Sequence, residues 1–214
     1  MNSEQYKALT VKEFTRAAAV YDSGHAGIYE KCKNDYPPIL TELEKAPFTE
    51  LLDVGCGTGP MIELLSARFP DRRYTGVDLT PRMIETARAK GLPNAVFLVG
   101  DSENLPFEPE RFDAVICANS FHHYPNPQQF FHEVFRVLRP GGRLILRDYT
   151  SASALVWLMN HLEMPLINLT GHGDVRIYTL AQVRDFCAAA GLTVRTLEKR
   201  PGFRLHLAAE KPAD

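Results

Sequence analysis

Three acid-containing motifs and one histidine pair hold the side chains whose types and spacing could do chemistry. The first motif is Asp53-x-Gly55-x-Gly57-x-Gly59, which ends an apolar run and precedes the amphipathic stretch 58–69. Glycines let the backbone of such a turn approach a ligand closely, because they carry no Cβ. The helix that follows would direct unpaired N–H groups and a positive dipole end toward that ligand. The motif therefore indicates a nucleotide site, and a packing turn without a ligand is the alternative.

Two further acids end the next two predicted strands. Asp78, in Gly76-Val77-Asp78-Leu79, follows the glycine turn by about twenty residues, where an acid can accept both hydroxyls of a ribose. Its alternative role is to cap the next helix, but Thr80 is expected to provide that cap. Asp101, which would alone mark an ordinary turn, could accept from the exocyclic amine of an adenine. Parallel strands bind ligands at their carboxyl ends, so the three acids predict an adenosine site there.

The histidine pair His122-His123 follows the fourth predicted strand, at the mouth of the same site. Histidine titrates in the range that suits a general base, so both residues are catalytic candidates. The alternative is that the pair only shapes the pocket. Other side chains could also line an acceptor pocket, although each has a simpler structural or solvated interpretation: His25, Tyr149, His161 and His172.

An alternation of strands and helices is expected to position these residues. Such alternation is typical of βαβ units with right-handed crossovers and a parallel sheet. Thr80-Pro81 and Asn126-Pro127 mark helix starts, because a cap residue precedes a proline. The predicted strands are 50–55, 73–78, 95–100, 112–118 and 143–149, and the predicted helices are 58–69, 81–90 and 127–138.

The flanking segments are expected to complete one domain over residues 1–214. We expect helices at Glu13–Tyr21, from about Ile28 to the interruption at Pro37-Pro38, and at Ile39–Ala46. A helix capped by Thr179 and a hairpin with a turn at Pro201-Gly202 are expected at the other end. The expected parts are an N-terminal helical cap (1–46), a cofactor-binding core (47–150), an inserted helical lid (151–178) and a C-terminal helix with a β-hairpin of strands 192–199 and 203–210 (179–214).

Composition narrows the class of protein. The 214 residues carry 24 Lys and Arg against 26 Asp and Glu, a net charge of −2, which argues against a nucleic-acid partner. The four cysteines are widely spaced and no Cys–His spacing of a zinc site occurs, so no metal is predicted. Neither a signal peptide nor a membrane span is recognisable, and a cytoplasmic location is expected. Oligomeric state is not readable from these patterns.

The ordered set of motifs resembles the class I S-adenosylmethionine-dependent methyltransferases, most closely the small-molecule branch that includes the ubiquinone and menaquinone biosynthesis enzymes. The resemblance covers roughly residues 48–150. It implies an α/β, Rossmann-like, doubly wound sheet of seven strands, mostly parallel with an antiparallel last strand. The matching stretches are Leu51–Gly59, Gly76–Leu79, Gly100–Phe107, Arg111–Val115 and Phe131–Gly142.

The resemblance also implies roles for individual residues toward S-adenosyl-L-methionine. Asp78 would bind the ribose hydroxyls, and Leu79 and Met83 would sandwich the adenine. Asp101 would accept from the adenine amine, with Ser102 beside it. The methionine part would be surrounded by the remaining residues: Asp53, Gly55, Cys56, Gly57, Gly59, Asn119 and, closing over the donor, Tyr21.

The resulting expectation is methyl transfer to a small-molecule acceptor by in-line displacement. An RNA or protein methyltransferase and a non-catalytic S-adenosylmethionine-binding protein stay open as alternatives. A nicotinamide-dependent oxidoreductase fits less well, because the glycine spacing is G-x-G-x-G rather than G-x-G-x-x-G. The acceptor, and whether it receives the methyl group on O, N, C or S, is not specified by the motifs.

Overall fold

A seven-stranded sheet forms the centre of the molecule. The computed structural model describes residues 1–21, 33–169 and 172–213. In chain order the strands are β1 Glu50–Val54, β2 Arg73–Asp78, β3 Ala95–Val99, β4 Phe112–Ala118, β5 Leu138–Tyr149, β6 Thr193–Arg200 and β7 Arg204–Glu210. Their order in the sheet is β3-β2-β1-β4-β5-β7-β6, with β7 antiparallel to both of its neighbours and β1 to β5 parallel. The expected fold class is confirmed.

Helices cover both faces of this sheet. They are α1 Ser3–Ala17, α2 Tyr36–Glu44, α3 Pro60–Arg68, α4 Pro81–Ala89, α5 Pro127–Val137, α6 Ser153–Leu158, α7 Met164–Leu169 and α8 Leu180–Ala190. Alternation along β1 explains the two layers, because successive side chains of a strand point to opposite faces. Leu51 packs in the cluster that contains Ile62 of α3, whereas Leu52 packs in the cluster that contains Phe131 of α5. The doubly wound arrangement brings the carboxyl ends of β1, β2 and β4 to one edge.

The first helix lies earlier in the chain than the sequence suggested. A helix was expected over Glu13–Tyr21, but α1 runs over Ser3–Ala17. Its start is fixed by a capping box, in which Asn2 accepts from the Gln5 amide and the Gln5 side chain accepts from the Asn2 amide. The prediction was wrong because it followed apolar residues and overlooked this cap signal.

The two adjacent prolines begin a helix instead of interrupting one. Pro37 and Pro38 occupy the first turn of α2, where a missing N–H leaves no helical hydrogen bond unmade. The expected helix start at Ile39 is therefore wrong by three residues. The stretch from Ile28 that was expected to be helical lies largely outside the described residues. Its last part, Lys33–Asp35, forms a 3₁₀ turn.

The inserted segment is more helical than expected. Helix α6 continues through a π-helical turn, Met159–Glu163, into α7. Asn160, in the π-helical turn, bonds the backbone N–H and C=O of Ile177, so the turn is tied to the extended chain that follows. That chain, residues 172–178, bonds the His122 carbonyl beyond the end of β4 and contacts α1, where Thr10 donates to the Gly173 carbonyl. We call residues 172–178 the strap.

Two expected caps are confirmed and one differs. The side chains of Asn126 and Thr179 accept from backbone amides three residues on. Thr80 occupies the cap position of α4, but its side chain makes no capping bond. Strand β5 also begins five residues earlier than expected, at Leu138, where it pairs with Phe112 of β4. Gly141 and Gly142 bond the backbone of Lys211, just past the end of β7.

Candidate active site

The glycine turn between β1 and α3 forms the floor of a cavity. Gly55, Gly57 and Gly59 all adopt positive φ, at 75°, 54° and 77°, a region that suits glycine. A Cβ on Gly55 would overlap the Ser120 hydroxyl, so only glycine fits at that point. A Cβ on Gly59 would instead meet the Phe97 ring at 2.8 Å. The third glycine therefore packs against the core, and the first two face the cavity.

Two carboxylates lie together at the ends of β1 and β2. Asp53 is 3% exposed, and burial, with the nearby charge of Asp78, raises its pKa to about 8. Burial also raises the pKa of Asp78, and bonds from the Thr80 and Gly57 amides, at 2.8 and 2.9 Å, partly offset it. Asp78 thus accepts a hydrogen bond from the backbone amide of Thr80, the cap residue. The expectation was that Thr80 would provide the cap and leave Asp78 without a capping role.

The main cavity opens above these acids and has about 670 Å³ of empty space, part of which is open to solvent. A smaller hollow of about 300 Å³ lies on the Asp53 side. The two share Tyr21, Gly55 and Ala118, so they form two ends of one site. The predicted cofactor residues that line the main cavity are Tyr21, Gly55, Gly57, Asp78, Leu79, Asp101, Ser102, Asn119 and the buried Met83; Asp53 and Cys56 line the smaller hollow.

Helix α1 closes one side of the cavity with three residues that the motifs did not indicate. Lys7, Thr10 and Phe14 project from successive turns of α1 into the lining. Lys7 pairs with Asp101 at 2.6 Å and with Glu103 at 2.7 Å. Burial alone would lower the pKa of Lys7, but the bonds to Asp101 and Glu103 outweigh burial and raise the pKa. The spacing 7, 10, 14 follows one helix face, a signal that a correct placement of α1 would have supplied.

Asn119 lies on the cavity wall but is held from behind. Its φ is 56°, and its side-chain nitrogen donates to Asp35 at 3.0 Å. Its side-chain oxygen accepts from Arg204, which also pairs with Asp35. Arg147 completes this cluster with a second ion pair to Asp35, at 2.7 Å. The amide of Asn119 is therefore oriented by a buried ionic cluster that links the start of α2 to β5 and β7.

Tyr21 covers the glycine turn. Its ring lies 3.8 Å from the point where a Cβ of Gly57 would stand. It lines both the main cavity and the smaller hollow, so it stands at their junction. This placement agrees with a side chain that closes over a ligand spanning the two.

The histidine pair forms the far wall of the cavity, and its two rings have different surroundings. His123 lines the cavity, is 8% exposed, and shares a 3.1 Å hydrogen bond between its Nδ1 and the Gly173 carbonyl. His122 stands behind it, with ring centroids 4.1 Å apart, and bonds Asp148 through Nδ1 at 2.7 Å. Asp174 of the strap approaches both rings, at 3.4 Å from His122 Nε2 and 3.6 Å from His123 Nδ1.

The electrostatics of the two histidines are opposite. Burial, together with the charge of His122, lowers the pKa of His123 to about 4. Burial acts in the same direction on His122, but the charge and hydrogen bond of Asp148 outweigh it and raise its pKa. Near neutral pH, His123 is therefore an uncharged ring at the cavity and His122 is its more basic support. The other candidates, Tyr149, His161 and His172, do not line the cavity, and His25 lies outside the described residues.

Comparison with known proteins identifies a methyltransferase domain in this chain. A sequence family described as a methyltransferase domain matches residues 52–146. The chain is 35% identical over 179 residues to a malonyl-[acyl-carrier protein] O-methyltransferase of Herminiimonas arsenicoxydans, an alignment that covers 83% of this chain and 64% of that protein. It is 43% identical over 99 residues to a phthiotriol/phenolphthiotriol dimycocerosates methyltransferase of Mycobacterium leprae, covering 46% of this chain and 37% of that one. Residues 52–146 therefore match a methyltransferase domain within a fold of the class I S-adenosylmethionine-dependent type, and the chain spans less than two thirds of the length of both relatives.

The fold comparison agrees with this assignment. A chain from the complex of the Haloferax volcanii Trm112 methyltransferase activator with a methyltransferase superposes with a TM-score of 0.76. It covers 94% of this chain and 98% of that chain at 22% identity, a level that shows the fold alone. Within the described ranges, no helix combines the length and apolar character needed to cross a membrane.

The methyltransferase domain does not account for the whole site. The matched residues 52–146 contain the histidine pair and the three acids Asp53, Asp78 and Asp101. The side chains that close the cavity from α1, and Asp174 of the strap, lie outside them. The motifs of the methyltransferase domain therefore specify the floor of the site, and the flanking segments build its roof.

Proposed function

We propose that this chain transfers a methyl group from S-adenosyl-L-methionine to a small-molecule acceptor by in-line displacement. One observation carries the proposal: two adjoining cavities, which share Tyr21, Gly55 and Ala118, connect the glycine turn and the acids of β1 and β2 to an uncharged histidine on the opposite wall. The methyltransferase families named above supply the class of reaction. The cavity supplies a place for both reactants.

The residues of the floor fit an adenosyl amino acid. Asp78 ends β2 with its carboxylate already oriented by two backbone amides, and we assign it the ribose hydroxyls. Leu79 and the buried Met83 offer apolar contacts for a flat base. Asp101 and Ser102 lie at the rim beyond them, where the base would present its amine. We assign Gly59 no contact with the cofactor, because it packs against Phe97 and Ala87.

Asp53 fits the charged end of the same ligand. It is a buried acid in the smaller hollow, and burial and the charge of Asp78 raise its pKa and so disfavour its negative charge. An ammonium group nearby would reverse that, because an opposite charge within a few ångströms favours the carboxylate. We propose that the methionine end of the cofactor occupies this hollow, with Tyr21 above it. The adenosine end then fills the main cavity, and the sulfur lies at the junction.

The acceptor is assigned to the space bounded by Phe14 and His123. The two rings meet edge to face, with centroids 5.1 Å apart, so they form one wall. In the tautomer in which His123 Nδ1–H donates to the Gly173 carbonyl, Nε2 keeps its lone pair and can accept a proton from an acceptor hydroxyl or amine. His122 and Asp148 hold the ring pair in place from behind.

The cofactor, when bound, supplies a methyl group on a positively charged sulfur, which is already a good leaving group. The chain's own contribution is then mainly positioning, which in well-oriented systems is worth about 7–11 kcal/mol. The cavity wall from α1, which Thr10 ties to the strap, also keeps water from the reacting atoms. A base matters only for acceptors that must lose a proton.

The relatives support a small-molecule or carrier-linked acyl acceptor. Their names identify a malonyl-acyl carrier protein and the phthiotriol dimycocerosates as what they methylate. The net charge of −2 gives no support for an RNA substrate. A cytoplasmic location, the absence of nucleic-acid partners and the division into parts stay predictions.

A thermal-shift screen tests the cofactor class. Purified protein is heated with S-adenosylhomocysteine, S-adenosylmethionine or NAD, each at saturating concentration. A ligand present at one hundred times its Kd stabilises the fold by about 2.7 kcal/mol. We expect a rise in Tm with both adenosyl ligands and none with NAD. Stabilisation by NAD alone would overturn the proposal.

A further inference from the structure

The strap and the histidine pair bring three metal-ligating side chains together. We propose that His122, His123 and Asp174 bind one divalent transition-metal ion at the acceptor end of the cavity. Their ligand atoms all lie within 4.8 Å of one another. The binding itself does not depend on the proposed methyl transfer. What the ion would do to an acceptor does rest on that proposed function.

The separations match the edges of a coordination shell better than they match hydrogen bonds. Asp174 Oδ1 stands 3.4 Å from His122 Nε2 and 3.6 Å from His123 Nδ1. Good hydrogen bonds between such groups are shorter, near 2.7–2.9 Å for charged pairs in general. Two ligand atoms at the roughly 2.0–2.1 Å typical of zinc sites would be about 3.4 Å apart in a tetrahedron. Two of the three separations therefore have the length of a zinc-shell edge, and the third lies within 4.8 Å, so an approach of the two rings lets a single ion contact all three residues.

A buried carboxylate already orients the first ligand. Asp148 is 1% exposed and accepts from His122 Nδ1 at 2.7 Å, which leaves Nε2 to face Asp174. Asp148 is fixed in turn by the backbone amides of His122 and Tyr149. Metal-binding histidines typically donate their other ring N–H to a carboxylate in this way. The arrangement has the second layer of contacts that a metal site needs.

The backbone holds the other two ligands against the first. The amides of Val175 and Arg176 both donate to the His122 carbonyl, at 2.9 and 3.1 Å, so Asp174 is tied beside that ring. His123 would give up its bond to the Gly173 carbonyl when Nδ1 coordinates. That carbonyl also accepts from Thr10 at 3.2 Å and so keeps a donor. The change of tautomer leaves no carbonyl without a partner.

The charges and ligand types of this cluster favour a divalent transition-metal ion such as zinc. Two carboxylates, Asp148 and Asp174, flank two imidazoles, so one divalent cation balances the cluster. Imidazole suits zinc, copper, iron and nickel, whereas magnesium and calcium prefer all-oxygen shells. Because His123 lines the cavity, the ion would lie at its wall. There it would act as a Lewis acid toward an acceptor oxygen, and His123 would be a ligand instead of a base.

Zinc binding by tag-free protein tests the proposal. The protein carries Cys32→Ser, so that the thiol of Cys32 cannot bind zinc, and is first treated with a chelator. It is then titrated with Zn²⁺ against a chromophoric competitor, and bound zinc is measured by atomic emission. We expect about one Zn²⁺ per chain. Asp174→Asn should weaken the affinity by more than tenfold, and Asp148→Asn by about 10–100-fold, the usual effect of losing an outer carboxylate. Co²⁺ in place of Zn²⁺ should give visible absorption bands that Asp174→Asn abolishes.

His132→Ala is the matched control, because this exposed histidine of α5 is not among the three ligands. Its affinity for zinc should equal that of the parent. Equal zinc binding by parent, control and Asp174→Asn, or no binding by the parent, would overturn the proposal. The response to S-adenosylhomocysteine is measured in every variant. If Asp174→Asn loses zinc binding but is still stabilised by S-adenosylhomocysteine, the metal site is separate from the cofactor site. If Asp174→Asn loses both, Asp174→Glu is tested, and its failure to restore zinc binding would also overturn the proposal.

Discussion

The floor and the roof of the cavity are built in different ways. The floor consists of residues close together in the chain at the ends of consecutive strands, as in the contact between the Gly57 amide and Asp78, 21 residues apart. The roof depends on distant contacts, such as Lys7 with Asp101, 94 residues apart, and Thr10 with Gly173, 163 residues apart. A turn and a strand end suffice to build the proposed cofactor site. The acceptor wall exists only after the flanking segments have packed.

The largest expected effect comes from removing the central acid of the floor. Asp78→Ala should weaken S-adenosylhomocysteine binding by more than 100-fold, because hydrogen bonds to a charged group contribute about 1.5–3 kcal/mol each and two ribose hydroxyls lose their acceptor. Isothermal titration calorimetry measures the change. Asp71→Ala, at an exposed position between α3 and β2, is the control and should bind like the parent. Equal affinity in both variants would mean that the floor is not the cofactor seat.

The close packing of the floor can be broken separately from its charge. Gly55→Ala combines a positive φ with an overlap of the new Cβ on Ser120, and we expect it to lower the free energy of unfolding by about 2–4 kcal/mol. Gly91→Ala also has a positive φ, at 63°, but its Cβ would meet nothing within 4 Å. This control should lose only about 1 kcal/mol. Urea unfolding measures the loss of stability in each variant, and the difference between them is the contribution of packing at Gly55. Equal losses in the two variants would contradict this contribution.

The raised pKa of Asp53 predicts a pH dependence. A folded-state pKa of about 8, above the ordinary value of 3.8, means that the folded chain holds a proton that the unfolded chain releases between these values. Stability from this group is therefore full below about pH 4 and falls as the pH rises toward 8. Asp53→Asn, which mimics the protonated acid, should lack this slope. The Tm difference between the two proteins should widen from pH 5 to pH 9, and a constant difference would contradict the assigned pKa.

The smallest expected effect lies in the roof. Lys7→Ala removes a partly exposed cation that pairs with Asp101 and Glu103, and ion pairs of this kind contribute at most about 1 kcal/mol. We expect a loss of that size in urea unfolding, reduced further at high salt. Lys12→Ala, on an exposed position of the same helix, should leave stability unchanged. A loss of several kcal/mol from Lys7→Ala would mean that the roof is as firmly built as the floor.

Sequence analysis predicted the floor well because its signals are local. The glycine turn and Asp78 lie where their motifs implied, and six of the seven strands began within one residue of their expected positions. Gly59 was assigned to the ligand, but its partner Phe97 is supplied by a strand 38 residues on. The spacing of three glycines does not reveal which of them faces the core.

The roof could not be predicted for the same physical reason. Asp174 approaches the histidine pair only through the bonds of the strap to His122 and α1, which no spacing encodes. The position of α1 was the one part within reach, since Asn2 and Gln5 form a recognisable capping box. With α1 correctly placed, its cavity-facing residues follow from helical periodicity.

A crystal structure of the protein with S-adenosylhomocysteine tests the central claim most directly. The account predicts the ribose hydroxyls on Asp78, the adenine between Leu79 and Met83, the amino-acid end near Asp53, and the sulfur facing the wall that contains His123. A ligand bound elsewhere, or one with its amino-acid end at Asp101, would contradict the division of the cavity into a cofactor floor and an acceptor roof.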